Sequence, residues 1–491
     1  MKRNLAPTVA DILFIVIAPL TAITRTVKLT HSDGDLAAHI RMGQVILETR
    51  ELPRNSLASL TASNEPLIAH AWLSEVFFAG LFSVGGLALI SVVAGILVGL
   101  THAGVAQFLR KRGVDPRWAL AAAFISLAIS STHWLARPHM FSILGVALTV
   151  FLLESRPRHR VPLFALLFLL WANLHGGWIY GLVLIAAYVA GNAIEMRASP
   201  TERTSWRTSV RADALALAVA AAATLVNPYG WTLHREVFSA ATSSDLARQM
   251  AEFLPPDFQT LAPLPFLLAL LLTVALLATA ERRMNAPRLI VLLLSAYFAL
   301  RSFRNMALFG VSGWPLVALH ISATWPRDRG SFRWFSEIAR LDRTARAGLY
   351  AVPVALALLV LGINSGNAGN VRLIRSSFSP AHFPVSAVSR ARAANLDGPI
   401  FEAWEWGGYI MNAWPAARLV VDPLEFNDAT VRAFSEIDAV RPGWKDEMRR
   451  WNVRTVIIRP DSRLALTLEK DPEWKVWYRD SISAVFRPAT D

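Results

Sequence analysis

Long apolar blocks recur along this chain, and the short segments between them are alternately rich in arginine and nearly free of it. Blocks such as Leu163 to Asn173 and Leu264 to Ala280 suit a bilayer interior. There the backbone must satisfy its own hydrogen bonds, so such blocks are read as helices. Composition agrees: 54% of residues are hydrophobic and 17% charged, with a mean hydropathy of +0.38, more apolar surface than a soluble protein needs.

The net charge of +13 would elsewhere point to nucleic acid, but its placement points away from it. Arg110, Lys111 and Arg112, then Arg156, Arg158 and Arg160, Arg203, Arg207 and Arg211, Arg282 and Arg283, and Arg327, Arg329 and Arg333 fall in alternate connections, the pattern of cytoplasmic loops. The chain has no cysteine, which removes disulfides, thiolate metal sites and thiol nucleophiles. Lys2 and Arg3 before the apolar stretch from Ile12 to Ile23 imitate a secretory signal. With no small-x-small cleavage site and many spans following, it reads as a retained first helix.

Threaded from an inner N-terminus, the chain makes about eleven spans over residues 1–364, with a polar first outer loop at 29–72. The seventh span is expected from Asp213 to Val226, stopped by Asn227-Pro228-Tyr229-Gly230. Phe332, Phe335, Ile338 and Leu341 recur at helical spacing among arginines in the inner loop Trp325 to Arg346, as in a helix lying in the interface. An odd number of spans puts the C-terminus outside. A polar linker, 365–383, leads to a small α/β domain at 384–491, with strands expected at Pro399 to Phe401, Arg418 to Val421, Val453 to Ile458, Val476 to Tyr478 and Ile482 to Phe486.

Chemistry concentrates just after the first span, at His31-Ser32-Asp33-Gly34-Asp35-Leu36-Ala37-Ala38-His39. A helix starting near Gly34 puts Asp35 and His39 one turn apart on one face, a carboxylate with a histidine suited to orienting it or binding phosphate. The plainer reading makes Asp33 an N-cap and lets Asp35 offset the helix dipole. Asp33 and Asp35 can also hold a divalent cation through water. No pair has zinc-site spacing.

Arg41, Arg50 and Arg54 lie outside against the charge rule and are phosphate candidates, or else partners of Glu48 and Glu51. His70, Trp72 and Glu75 re-enter the membrane, and further outer helix ends carry His133, Arg137, His139, Asn173, His175, Asn227, Tyr229, His234, Arg301, Arg304 and Asn305. Singly, each can be a cap or a snorkelling side chain. Together they mark a cavity or substrate path, because ionisable groups at that depth are expensive. In the C-terminal domain, Trp404, Glu405, Trp406 and Tyr409, and then Asp422, follow expected strands. They suit either a sugar ligand or packing onto the membrane surface.

Asp33-Gly34-Asp35-Leu36 with His39, a large first outer loop, paired helices and an outer C-terminal domain resemble the GT-C superfamily of membrane glycosyltransferases. Pro53-Arg54, His70-Ala71-Trp72-Leu73, Arg137-Pro138-His139, Asn173-Leu174-His175-Gly176-Gly177 and Trp406-Gly407-Gly408-Tyr409 look like a bacterial branch of it. The resemblance implies inverting transfer of a sugar from a polyprenyl-phosphate donor to an extracytoplasmic lipid, glycan or protein acceptor at the bacterial inner membrane, in envelope polysaccharide synthesis. It implies Asp35, or else Asp33, as the base, and His39, Arg54, His70, Arg137, His139, His175, Arg301 and Arg304 on the donor phosphate or substrate. Acceptor contacts would fall to Trp404, Glu405, Trp406, Tyr409 and Asp422. It departs from the family's adjacent acidic pair, because glycine separates Asp33 from Asp35. Two alternatives stand beside it: a polysaccharide polymerase or ligase working through arginine and histidine without a carboxylate base, and a noncatalytic transport or assembly protein.

Overall fold

The computed structural model describes residues 5–23, 30, 33–58, 67–242, 251–324, 340–342, 344–421, 424 and 428–490. The interfacial helix expected around Phe332, Phe335 and Ile338, and Asp422, lie outside the described residues.

The first stretch of chain is almost wholly helical: α1 (Val9–Ile23), α2 (Gly34–Thr49), α3 (Trp72–Lys111), α4 (Pro116–Ser130), α5 (His139–Ser155), α6 (Arg160–Leu174), α7 (Trp178–Ala198), α8 (Arg203–Thr224), α9 (Trp231–Thr242), α10 (Leu264–Ala278), α11 (Ala286–Arg301), α12 (Met306–Thr324) and α13 (Ala351–Ile363). Trp72–Lys111, Trp178–Ala198 and Phe303–Thr324 are each long and apolar enough to cross a membrane, and α1, α5, α6, α10 and α13 are shorter apolar helices. The chain is a multi-pass membrane protein on these helices. Several starts are written locally. Thr8 and Asp11 exchange bonds over the first turn of α1, Asp115 caps α4 ahead of Pro116, and Asn285 caps α11.

Two features differ from the sequence reading. The basic run Arg203, Arg207, Arg211, expected in a connection between helices, forms the first turns of α8, its members four apart and all exposed. That spacing stacks three long side chains on one exposed helix face. Helix α3 runs about 60 Å at ~1.5 Å per residue, roughly twice a bilayer core. It breaks at Gly86, whose φ of 62° and ψ of −156° suit glycine alone.

The basic ends of the helices are cross-tied. Glu154 on α5 accepts from Arg288 Nε (2.9 Å) and Nη2 (2.7 Å) on α11 and from the Tyr188 hydroxyl (2.6 Å) on α7. Arg160 meets Asp213 at 2.9 Å, and Arg283 meets Glu195 at 2.9 Å. These arginines tie the ends of neighbouring helices together.

The expected polar linker is partly ordered. Asn367–Ala368 (β1) and Val371–Arg372 (β2) form a short antiparallel hairpin, and Ile374 packs among α1, α3 and α13. The remainder is α14 (Val385–Ala393), β3 (Pro399–Glu402), α15 (Gly407–Ala413), β4 (Arg418–Leu419), α16 (Asp428–Asp438), α17 (Trp444–Arg450), β5 (Thr455–Ile458), α18 (Arg463–Leu468), β6 (Trp474–Arg479) and β7 (Ala484–Pro488). The sheet order is β4-β3-β5-β7-β6, with β3 parallel to β4 and β5, and β7 antiparallel to β5 and β6. The α/β pattern expected from alternating apolar runs is present within a few residues of each strand. One side of this sheet packs on residues that belong to the first loop: Ala38 and Ala58 sit in the same cluster as Trp406, Ile410 and Leu419.

Candidate active site

Helix α2 opens on Asp33, an N-cap in extended conformation whose carboxylate accepts from the Asp35 amide at 3.2 Å. The plain capping reading of Asp33 therefore holds, yet capping does not exhaust the group. Arg137, in the turn before α5, donates from Nε to both Asp33 oxygens at 2.8 Å. Its Nη1 lies 2.7 Å from Asp35 Oδ2. One guanidinium thus gathers both first-loop carboxylates, a charge-assisted clamp joining elements about a hundred residues apart.

The two aspartates are not equivalent. The Asp33 side chain is fully buried, whereas that of Asp35 keeps 40% of its surface exposed. Protein groups crowd Asp35 even though part of its carboxylate surface stays accessible. Burial raises its pKa above the usual carboxylate value of 3.8; Arg137 opposes that rise and Asp33 adds to it. Arg137 stays charged: burial works against it, but Asp33 and Asp35 together lift its pKa above the ordinary value.

Glu252 extends the cluster. Its carboxylate stands 3.8 Å from Arg137 and 3.4 Å from Arg304, whose guanidinium also lies over the Phe253 ring at 4.5 Å. The sequence reading missed Glu252. No local pattern distinguishes it, and only tertiary folding brings it between two arginines selected for a different reason.

The histidines fill the remaining wall. His39, one turn along α2 from Asp35, places Nδ1 3.1 Å from Glu75 Oε1 of α3, while Glu75 Oε2 is buried without a hydrogen-bond partner. His139 Nε2 donates to the His133 carbonyl at 2.9 Å, with the two rings 4.2 Å apart. His175 Nδ1 accepts from the Gly177 amide, which leaves its proton on Nε2, and takes a 2.7 Å bond from the Ser142 hydroxyl. Burial, the largest influence, lowers the pKa of His70 and drives that of His133 well down, with Arg304 and Arg137 pushing the latter further. Both are neutral imidazoles at pH 7, so they offer hydrogen bonds here and the arginines carry the positive charge.

The rim is held by bonds between helix ends: Trp72 Nε1 to Asn173 Oδ1 at 2.9 Å, Ser74 Oγ to the Leu174 carbonyl at 2.6 Å, and the Ala69 amide to the Tyr229 hydroxyl at 3.1 Å. Asn173 and Tyr229, read as cavity residues, serve as struts.

Other sequence candidates lie elsewhere. Arg54 and Arg301 are exposed, without an ion pair to any described residue. Arg41 pairs with Glu48 at 3.6 Å. Trp406 is buried in the C-terminal core with Nε1 donating to the His382 carbonyl, and Tyr409 stacks on Phe383 at 5.0 Å; both rings pack the domain and present no face to a ligand. Trp404 and Glu405 do line a recess of about 200 Å³ past the ends of β3 and β5, where Glu405 bonds Arg459 Nε at 2.7 Å. Among the described residues no group of three or more His, Asp or Glu has metal-holding geometry. Asp33 and Asp35, the carboxylates suited to a cation, are both taken by Arg137, so the residues present do not fit a divalent ion.

No protein-family model and no curated protein matches this sequence. Solved structures do share its fold. The oligosaccharyltransferase AglB of Archaeoglobus fulgidus, in complex with an inhibitory peptide and a dolichol-phosphate, aligns with TM-score 0.53 at 11% identity over 98% of this chain and 74% of its own. ArnT of Cupriavidus metallidurans in the apo state gives 0.53 at 15% identity over 97% of both chains, and ArnT bound to undecaprenyl phosphate gives 0.50 at 14%. The arabinofuranosyltransferase AftD from Mycobacteria gives 0.54 at 15%, over 99% of this chain and 40% of its own. These neighbours are GT-C glycosyltransferases, so the resemblance in the first-loop and helix-end motifs is matched at the level of the fold.

Proposed function

We propose that this GT-C-fold chain is an integral-membrane glycosyltransferase. It moves a sugar from a polyprenyl-phosphate-linked donor to an acceptor hydroxyl on the extracytoplasmic side of the bacterial inner membrane, with inversion at the anomeric carbon. The observation that carries the reading is the cluster in which Arg137 spans Asp33, Asp35 and Glu252 while Arg304 takes the other side of Glu252. Neighbours of the same fold are solved with dolichol-phosphate or undecaprenyl phosphate. In this reading the chain makes about eleven crossings, with the N-terminus cytoplasmic and the cluster and C-terminal domain outside.

Asp35, partly exposed and with a raised pKa, takes the acceptor proton as the acceptor oxygen bonds to the anomeric carbon. The bond from that carbon to the phosphate oxygen breaks on the opposite face, and the phosphate leaves as an anion. Arg137 and Arg304 stabilise that charge. Their pairs with Glu252 are long, and a phosphate oxygen group replaces that single carboxylate between them with better geometry. His39, His70, His139 and His175 supply directional hydrogen bonds around the sugar phosphate. Buried Asp33 keeps Arg137 aimed. Trp404 and Glu405 lie on the acceptor side.

The test is Asp35→Asn in proteoliposomes supplied with a polyprenyl-phosphate sugar. The variant should insert and fold like the wild type, while transfer falls about 10²- to 10⁴-fold, the usual worth of a general base. Full turnover removes Asp35 from that role. The same engagement leaves one second reading, a polysaccharide polymerase or ligase in which both aspartates only hold the arginine and neither takes a proton. There, Arg137→Ala and His175→Ala abolish activity and Asp35→Asn does not.

A further inference from the structure

The first-loop helix is held by contacts that tolerate almost no side chain. A Cβ on Gly408, in α15, would lie 2.2 Å from the Gly34 carbonyl oxygen, and a Cβ on Gly34 would lie 2.3 Å from the Glu405 carbonyl oxygen. Both obstacles are backbone atoms and cannot swing aside. On the opposite flank, a Cβ on Gly43 would meet the Glu75 carbonyl oxygen of α3 at 2.0 Å. Helix α2 is therefore pressed between the membrane helix α3 and the C-terminal domain.

Two further contacts bind the same loop to the same domain. Ala38 packs into the cluster formed by Trp406, Tyr409 and Ile410. The Leu419 amide at the edge of the sheet donates to the Ala58 carbonyl at 2.8 Å, so the loop extends the hydrogen bonding of β4. The Trp-Gly-Gly-Tyr segment, with two of its side chains buried, is the domain's face toward α2.

We infer that the C-terminal domain sets the position of the first-loop carboxylates, with Gly408 and Gly34 as positioning residues for Asp33 and Asp35. This rests on the transferase reading for its kinetic consequence but not for its geometry. Gly34 lies between the two aspartates in sequence, and both reach Arg137 on a different element within 2.8 Å. A shift of the α2 N-terminus by the ångström that an added Cβ demands changes both distances. Misplacement of that size costs about a hundredfold in rate where the geometry is used for catalysis.

The experiment compares the full-length protein in detergent with Gly408→Ala, with Ala38→Val, which adds bulk to the same contact from the α2 side, and with Gly80→Ala, where a Cβ meets nothing within 4 Å. Hydrogen exchange and sugar-transfer kinetics are read on each. For Gly408→Ala and Ala38→Val, amides 34–39 should exchange faster while those of α5 do not. In these two, kcat should fall about ten- to a hundredfold with little change in donor KM, and Gly80→Ala should match the wild type. Folded Gly408→Ala and Ala38→Val proteins with wild-type exchange at 34–39 and wild-type kcat overturn the inference. If one of them fails to fold, the other decides. A wild type that transfers no sugar counts against the proposed function, and the exchange comparison then decides the positioning on its own.

Discussion

At the scale of single residues, the Asp33, Asp35 and Arg137 clamp makes a signed prediction about pH. Asp35 works as a base only when deprotonated, so activity is lost as pH falls through its raised pKa. Arg137 lowers that pKa and Asp33 raises it, so Arg137→Gln should move the acid limb of kcat to higher pH and Asp33→Asn to lower pH. The pH profile of each variant's residual turnover checks this, and movement in the reverse sense contradicts it. His70 and His133 have pKa values below their unfolded value near 6.5, so the unfolded chain binds more protons. Stability should therefore be full above about pH 6.5 and decline below it, as thermal unfolding at stepped pH would report. The sequence singled out Asp33, Asp35, Arg137 and Arg304 because charged groups at outer helix ends are expensive and exceptional. The same rule selected Arg54 and Arg301, which stand exposed, because it reports the side of the membrane and not convergence. Glu252 carried no signal at all.

Among elements, α3 shows what hydropathy cannot see. Its apolar run is continuous in hydropathy, and the break within it is made by the backbone of Gly86, marked in the sequence only by the Gly85-Gly86 pair. A Cβ at that position meets no atom within 4 Å, so any cost of Gly86→Ala is conformational. It should be about 1–3 kcal/mol, the usual price of a side chain in that region of φ and ψ. A lowered thermal midpoint in detergent supports the kink as built, and an unchanged midpoint means that α3 straightens freely. The strands of the C-terminal sheet were legible because alternating apolar runs between turn residues survive in any α/β domain. The extent of α8 was not, since exposed arginines four apart read equally well as loop or as helix face.

For the whole molecule, the charged side chains fall into two groups with different work. One is made of pairs such as Glu154 with Arg288 and Glu195 with Arg283, and the other gathers Asp35, Arg137, Arg304 and the histidines. The cysteine-free chain allows the assigned orientation to be tested directly. A cysteine replacing Arg158 should react with an impermeant maleimide only in permeabilised cells, and one replacing Ser481 should react in intact spheroplasts; the opposite labelling inverts the topology. The proposed function depends above all on Arg137 and Arg304 receiving the phosphate of a polyprenyl carrier. Its most direct test is native mass spectrometry of the purified protein titrated with undecaprenyl phosphate. One lipid should bind the wild type, binding should weaken by about tenfold or more in Arg304→Ala, and it should tighten in Glu252→Gln. No binding to the wild type, or equal affinity in all three proteins, would contradict it.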